Sequence, residues 1–153
     1  MHVTIAAVGK LKAAEPEQQL ITEFSRRLPW KVTFREVVSR KNLPDEQLKQ
    51  AEATLLLESI PSGAKVIALD ERGKIFSSPE FSSKLQGWQD EGVRDMAFLI
   101  GGAAGHGTAV RERADLLLSF GKMTWPHMLV RVMLIEQLYR AHTLQIGHPY
   151  HKV

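Results

Sequence analysis

Short apolar runs alternate with segments of helical spacing along most of this chain. Val3 to Val8 reads as a strand ending at Gly9-Lys10, and Pro16 to Leu28 has helical spacing through Leu20, Ile21, Phe24 and Leu28. Val32 to Val38 alternates as a second strand, Ser39 to Pro44 is a polar loop, and Asp45 to Ile60 is a helix capped by Asp45 or Pro44-Asp45. After the turn at Pro61-Ser62-Gly63-Ala64, Lys65 to Leu69 is a third strand and the hydrophilic Asp70 to Lys74 a turn. Ser77-Ser78-Pro79-Glu80 then begins a third helix, with an N-cap and a proline in the first turn. Met96 to Ile100 and Asp115 to Leu118 supply two more short strands, and Pro126 to His142 the last and most apolar helix. Strands that alternate with helices imply crossover connections. The expected fold class is therefore α/β, a mainly parallel sheet with helices on both faces. With 153 residues, of which 44% are hydrophobic and 24% charged, the chain fits one domain over 1–153, with no linker or internal repeat.

Two glycine- and polar-rich breaks directly follow apolar runs: Gly101-Gly102-Ala103-Ala104-Gly105-His106-Gly107, and Ser119 through Gly121, Lys122, Met123 and Thr124 to Trp125-Pro126-His127. Loops at strand ends of an α/β sheet are where ligands usually sit, so both breaks are expected on one ligand-binding face. The first is not a Walker A loop, because no Gly-Lys-Ser/Thr ends it, and its glycines do not fit G-x-G-x-x-G. Its glycines instead allow close approach of main chain to a flat ligand.

The absence of cysteine removes disulfides, thiolate nucleophiles and Cys-based metal sites. No apolar run reaches the length of a membrane span and the apolar N-terminus is too short for a signal segment, so a cytoplasmic protein without membrane association is expected. The net charge is +3, and from Gly121 onward Lys122, Arg131, Arg140 and Lys152 stand against Glu136 alone. A basic end suits an anionic partner such as RNA phosphate; a merely solvated basic tail is the plain alternative.

The last helix is apolar at nearly every angle, through Met128, Leu129, Val130, Val132, Met133, Leu134, Ile135, Leu138 and Ala141. It needs two covered faces. One can lie on the sheet and the other on a second copy, which predicts a homodimer; complete burial within one chain is the alternative. His127 follows Pro126, which is suited to N1, so its imidazole falls in the first turn, where the helix dipole disfavours a cation. A neutral ring there can accept a proton from a substrate or serve only as a cap. Arg131 lies one turn on with no acidic residue three or four away, free for a phosphate or carboxylate. Arg140 lies four after Glu136, in the orientation of an intrahelical pair.

In the tail, Gly147-His148-Pro149-Tyr150-His151-Lys152-Val153, a base can stack on Tyr150 while Lys152 meets phosphate, although tails also fray without function. His148 and His151 have no accompanying carboxylate, so no metal is expected. Asp70 and Glu71 are adjacent and read as part of an exposed turn rather than as an acid/base pair.

The segments Val8-Gly9-Lys10-Leu11, Leu69 to Lys74 with Ser77-Ser78, Phe98 to Ala103, Lys122 to His127, Glu136 to Ala141 and His148 to Lys152 occur in this order across essentially the whole chain. The chain thereby resembles the SPOUT class of methyltransferases, and within it the ribosomal RNA large subunit methyltransferase H family. The Met-Thr-x-Pro-His and Glu-Gln-x-Tyr-Arg-Ala segments with the Pro-Tyr-His-Lys ending carry the resemblance most specifically. It implies a C-terminal trefoil knot, S-adenosylmethionine held by Leu69, Gly101 and the segment Phe120, Gly121, Lys122, Met123, Thr124 and Trp125, and a dimer with the last helix in its interface. It also implies methylation of N3 of a pseudouridine in 23S ribosomal RNA of the assembled ribosome. The departures are small: Gly121 stands where relatives often carry serine or alanine, and Val153 extends past the usual ending.

Methyl transfer from a sulfonium requires alignment and loss of the nucleophile's proton, not a metal. His127, or His151 of a neighbouring subunit, is the expected proton acceptor. Arg131 and Arg140 are expected to stabilise the developing oxyanion or hold phosphate, and Tyr150, His151 and Lys152 to contact RNA. A non-catalytic ribosome- or RNA-binding module and a nucleotide-dependent enzyme of doubly wound type remain open on the residues alone.

Overall fold

The computed structural model describes residues 1–39 and 42–152. Arg40 and Lys41, in the expected loop 39–44, and the terminal Val153 lie outside the described residues. Strands β1 (His2–Val8), β2 (Lys31–Val37), β3 (Lys65–Ile75), β4 (Asp95–Ile100) and β5 (Leu116–Ser119) alternate with helices α1 (Pro16–Arg27), α2 (Asp45–Glu58), α3 (Ser78–Asp90) and α4 (Thr108–Arg113). α5 (His127–Ile146) follows, and a short 3-10 turn (Pro149–His151) ends the described chain. The sheet order is β2-β1-β4-β3-β5, and every pairing is parallel. All carboxyl ends thus open on one edge of the sheet.

The central strands β1 and β4 are buried on both faces and read as continuous apolar runs, as parallel strands covered on two sides must. One face presents Val3, Ile5, Ile67, Met96 and Phe98 to a core completed by Ile21 of α1, Phe81 and Leu85 of α3, and Leu134, Ile135 and Leu138 of α5. The other presents the small residues Ala6, Ala68 and Ala97, with Val66 and Leu99, to Ala53 and Leu56 of α2 and Val110 of α4. Alanines on that face let α2 and α4 approach the sheet closely.

Several sequence-based expectations change. Asp70 to Lys74 is not a plain turn: β3 runs on to Ile75, and its pairing with β5 shifts so that Leu69 and Lys74 both face Leu118. Gly73 permits this, because a Cβ there would lie 2.6 Å from the Leu117 main chain. Helix α2 begins without a side-chain cap, so neither Asp45 nor Pro44 supplies one. By contrast, Ser77 and Glu80 form the reciprocal capping box at the start of α3. Helix α4, six residues long with Val110 its one buried side chain, has too little periodicity to be read from sequence. Pro126 is the N-cap of α5 rather than its first residue, and the helix extends past His142 to Ile146, where Gly147 turns left-handed at φ 71°.

Helix α5 lies on the sheet beside α1 and α3. Ser82 Oγ of α3 donates to the Ala141 carbonyl at 2.8 Å, and Phe24 of α1 meets the Tyr139 ring at a centroid distance of 6.2 Å. Leu134, Ile135, Leu138 and Ala141 are buried within the chain, while Leu129 and Ile146 stay exposed. Burial within one chain therefore accounts for most of this apolar helix, and its composition does not by itself demand a second copy.

Arg131 is not free for a phosphate or carboxylate. It is the largest fully buried side chain, 1% exposed. Nη1 donates to Glu36 Oε2 at 2.6 Å, and Nη2 to the Val8 and Gly9 carbonyls at 3.1 and 2.9 Å. Glu36 Oε2 also accepts from the Leu11 amide at 2.7 Å. The acidic partner stands 95 residues away in sequence, beyond the reach of any helical spacing rule. Replacing Arg131 by Leu leaves two main-chain carbonyls without their donor and Glu36 without its cation. The expected loss is about 3 kcal/mol of unfolding free energy, at the low end for a broken buried pair because Glu36 keeps 33% of its side chain in water. Glu36→Gln, which retains an acceptor, is expected to cost about 1 kcal/mol. Urea unfolding midpoints at unchanged slope measure both.

Candidate functional site

The two glycine-rich breaks meet. A cavity of about 370 Å³ lies at the carboxyl ends of β3, β4 and β5. Its walls are Leu69 to Arg72 from β3, Ile100 to Gly102 and Ala104 to His106 from the β4–α4 loop, Leu118, Phe120, Gly121 and Met123 to Trp125 from the β5–α5 segment, His127 and Val130 of α5, and Lys49 of α2. Of the sequence-predicted set, Leu69, Gly101, Phe120, Gly121, Met123, Thr124, Trp125 and His127 thus border one space, while Lys122 belongs to the same segment but does not line the cavity. The volume falls within the roughly 300–1,000 Å³ of small-molecule sites.

Local bonding shapes each wall. The Ser119 hydroxyl donates to the Gly121 carbonyl at 3.0 Å and accepts from its amide at 3.1 Å, and Trp125 Nε1 donates to the Phe120 carbonyl at 3.3 Å. The segment after β5 is thereby curled against itself, and the peptide groups its bonds leave free are available to a ligand. In the facing loop Gly105 N donates to the Gly102 carbonyl at 3.0 Å. A Cβ at Gly101 would stand 3.2 Å from His106 Nδ1, so a side chain here would crowd the imidazole.

Sequence reasoning assigned no role to four polar residues here. His106 is 6% exposed, and its Nε2 is 3.1 Å from the Leu99 carbonyl. Burial holds its imidazole below the ordinary histidine range, against the opposing pull of the Leu99 carbonyl and Asp70. The Asp70 side chain is 3% exposed and takes the Arg72 guanidinium in two hydrogen bonds of 2.9 and 2.8 Å. Burial works to raise its carboxyl, but the bonds from Arg72 prevail and hold it below the usual carboxylate range. Glu52 of α2 lies behind the glycine loop, with Oε2 3.2 Å from where a Gly102 Cβ would stand. Its Oε1 has no partner among the described residues, and burial pushes its carboxyl up. These residues were legible only as members of a loop, a turn and a helix; their convergence needs the sheet.

His127 occupies the first position of α5, half-buried at the cavity wall and close to the loop after β1: a Cβ at Gly9 would lie 3.8 Å from its Nε2. Arg131, one turn on, points away into the network of Glu36, Val8 and Gly9. The RNA-facing set expected from sequence lies elsewhere. Arg140 pairs with Glu136 at 2.6 Å, as its spacing predicts. It follows His127 by 13 residues in one helix, a rise of about 20 Å at about 1.5 Å per residue. The tail is not frayed. Tyr150 packs edge-on against Tyr139 at a centroid distance of 4.6 Å, donates its hydroxyl to Glu136 Oε1 at 3.0 Å, and lies beneath the Arg140 guanidinium at 5.1 Å. Within one chain the structure brings Arg140, Tyr150, His151 and Lys152 together, and separates them from His127.

Among the described residues no three His, Asp or Glu side chains cluster as metal ligands, and no helix is long and apolar enough to cross a membrane.

A family model described as Predicted SPOUT methyltransferase matches residues 1–151. The ribosomal RNA large subunit methyltransferase H of Paramagnetospirillum magneticum is 58% identical over 152 residues, covering 99% of each chain. Among solved structures, a methylase family protein from Haemophilus influenzae superposes with a TM-score of 0.58 at 11% identity, covering 99% of this chain and 70% of that one. A Legionella pneumophila protein solved with bound SAM superposes with a TM-score of 0.50 at 11% identity, covering 92% and 66%. Both structural likenesses extend to the five-stranded α/β fold. With a family match along nearly its full length and such a relative, the chain belongs to the SPOUT methyltransferases, in the ribosomal RNA large subunit methyltransferase H family.

Proposed function

We propose that this protein is a cytoplasmic methyltransferase that uses S-adenosylmethionine to methylate N3 of a pseudouridine in 23S ribosomal RNA of the assembled ribosome. The observation that carries this reading is the meeting of the two main-chain-lined breaks, with His127, around one cavity in a chain of this family. The donor fits the residues present: the walls pair apolar side chains, Leu69, Ile100, Leu118 and Trp125, with peptide groups and a few polar side chains. Leu69, Gly101, Phe120, Gly121, Met123, Thr124 and Trp125 would hold it, while Lys122 lies in the same segment outside the cavity wall. A C-terminal trefoil knot, formed where the chain after the last strand threads through an earlier loop, belongs to the same reading.

The bound donor supplies an electrophilic methyl group on a sulfonium. The protein aligns the nucleophile and removes its proton. N3–H of the base is a weak acid, and the His127 imidazole, at the first turn of α5 on the cavity wall, is placed to accept that proton. Arg131 acts behind it. Its bonds to Val8 and Gly9 hold the first turn of α5 against the loop after β1, so its role is positioning rather than contact with an oxyanion.

The RNA-contacting set needs a second copy. Arg140 lies too far along α5 to serve the cavity of its own chain, and the folded-back tail is held beside it through Tyr150, so the tail of one subunit serves the other in a homodimer. An apolar groove of about 430 Å³ supports this arrangement: Phe24, Phe76, Phe81, Val132 and Met133 line it, and it shares Phe120 and Gly121 with the cavity. Ile75 at its rim is 58% exposed. Few cations are available for phosphate, so naked RNA is held weakly and the assembled particle supplies the remaining contact area.

Calorimetric titration with S-adenosylmethionine is expected to give a saturable heat; the absence of heat would favour a non-catalytic RNA-binding module instead. His127→Ala is expected to lower turnover roughly 100-fold while leaving donor affinity within about threefold. Single-turnover methyl transfer and calorimetry separate the two effects. Labelled methyl transfer to intact ribosomes lacking the modification should exceed transfer to naked RNA at any salt concentration. Mapping the product to N3 of one pseudouridine checks the assignment, and salt-insensitive activity on naked RNA contradicts it.

A further inference from the structure

The β4–α4 loop carries a histidine that the fold has no evident need to place in the cavity. The carbonyl of Leu99 can only accept, so the 3.1 Å contact with His106 Nε2 requires the hydrogen on that nitrogen. In the neutral ring this leaves Nδ1 with its lone pair. No described residue donates to Nδ1, the ring lines the cavity, and Nδ1 is not among the buried atoms sealed away from solvent. Gly101, without a side chain, leaves the Nδ1 edge uncovered: a Cβ there would stand 3.2 Å from Nδ1 and 3.3 Å from the neighbouring ring carbon. The Leu99 bond and 6% exposure fix the ring, so the acceptor is aimed before any ligand arrives.

We propose that His106 Nδ1 is a recognition acceptor of the cavity, taking a hydrogen bond from a donor on the adenosyl group, either the exocyclic amine or a ribose hydroxyl. This rests on the reading of the cavity as the S-adenosylmethionine site. The contact distinguishes ligands that offer a hydrogen at this point from those that offer a lone pair, because two acceptors facing each other in a buried wall repel. Protonation converts Nδ1 into a donor and removes the contact. Burial holds the imidazole below its ordinary range, so the acceptor form persists through neutral pH and is lost only as the pH falls into the acid range. The charged groups acting on the ring are Asp70 and Arg72 of β3 and Arg111 of α4; Lys49 of α2 and His127 line the same cavity, and Glu52 of α2 lies behind Gly102.

The test is calorimetric binding of S-adenosylhomocysteine to the full chain at pH 7.5 and 5.5, for wild type, His106→Leu and His106→Gln. His106→Leu is expected to bind about tenfold more weakly at pH 7.5, while His106→Gln, with one N–H for Leu99 and one carbonyl acceptor, stays within about threefold of wild type. Where acid protonates the ring, below the ordinary histidine range, wild-type affinity should fall and that of His106→Leu should not. S-inosylhomocysteine, which carries a carbonyl in place of the amine, and the 2′- and 3′-deoxyribose analogues identify the donor: the tenfold difference between wild type and His106→Leu should vanish with one of them. Equal affinity of wild type and His106→Leu, equal loss in both variants, or a difference that survives with every analogue overturns the proposal. Absence of binding by wild type overturns the cofactor reading along with it, which separates the two failures.

Discussion

The buried guanidinium of Arg131 joins the two ends of this chain. It leaves the last helix, crosses to the carboxyl end of the first strand, and binds the Val8 and Gly9 carbonyls and the Glu36 carboxylate at once. Those carbonyls lie at the end of a central parallel strand, where the ladder with β2 and β4 runs out and acceptors need new partners. A cation placed there satisfies them and fixes the first turn of α5 relative to the sheet. Because a charge this deeply enclosed is tolerated only with its partners in place, the contact specifies one seating of α5. His127, four residues earlier on that helix, inherits its position from it.

The parallel sheet does the rest. Crossovers return each strand in the same direction, so the loops that follow β3, β4 and β5 gather on one edge however far apart they lie in sequence. The bulge in β3 adds a third element to that edge, carrying Asp70 and Arg72 over Leu118 as an ion pair turned toward the cavity. Rigid strand ends carrying main-chain-rich loops suit a reaction whose main demand is alignment. Leu69, Ile100 and Leu118 give the cavity apolar walls at the strand ends, beside the charged Lys49, Asp70, Glu71 and Arg72.

How much of this was legible depended on whether a feature was local. The central strands could be read because parallel strands covered on both faces are apolar throughout, β2 because it alternates at the sheet edge, and α3 because Ser77 and Glu80 signal its start three residues apart. Both breaks were visible as glycine-rich interruptions, and their neighbourhood followed from strand order at a sheet edge. Arg131 was misread for the same reason that Arg140 was read correctly. Arg140 has its carboxylate four residues back on the same helix, whereas the partner of Arg131 is on another strand. His106 and Glu52 carry no local pattern at all: a histidine in a glycine loop and a glutamate in a helix look solvated until the fold buries both. The length of β3 escaped because Asp70 to Lys74 is hydrophilic, and the strand continues there through the close approach that Gly73 permits rather than through burial.

The remaining feature is a division of labour along α5. Its first turn borders the cavity, and its last third carries Arg140 with the folded-back tail, about 20 Å away by helical rise. The tail is held firmly: Glu136 accepts from both Arg140 and Tyr150, and Tyr150 is wedged against Tyr139. The Tyr150 hydroxyl is held above its ordinary range by burial and by its bond to Glu136, so it remains a donor to that carboxylate. An ordered tail of this kind is a preformed surface rather than a segment that folds on contact, which lowers the entropy cost of engaging a large partner. If the tail contacts RNA as proposed, it cannot be applied to the cavity of its own chain without unpacking from Glu136 and Tyr139. In the proposed homodimer, two copies related by a two-fold axis would bring each tail toward the other's cavity without moving either part, and the open apolar groove between the cavity and Glu136 is available to such a neighbour.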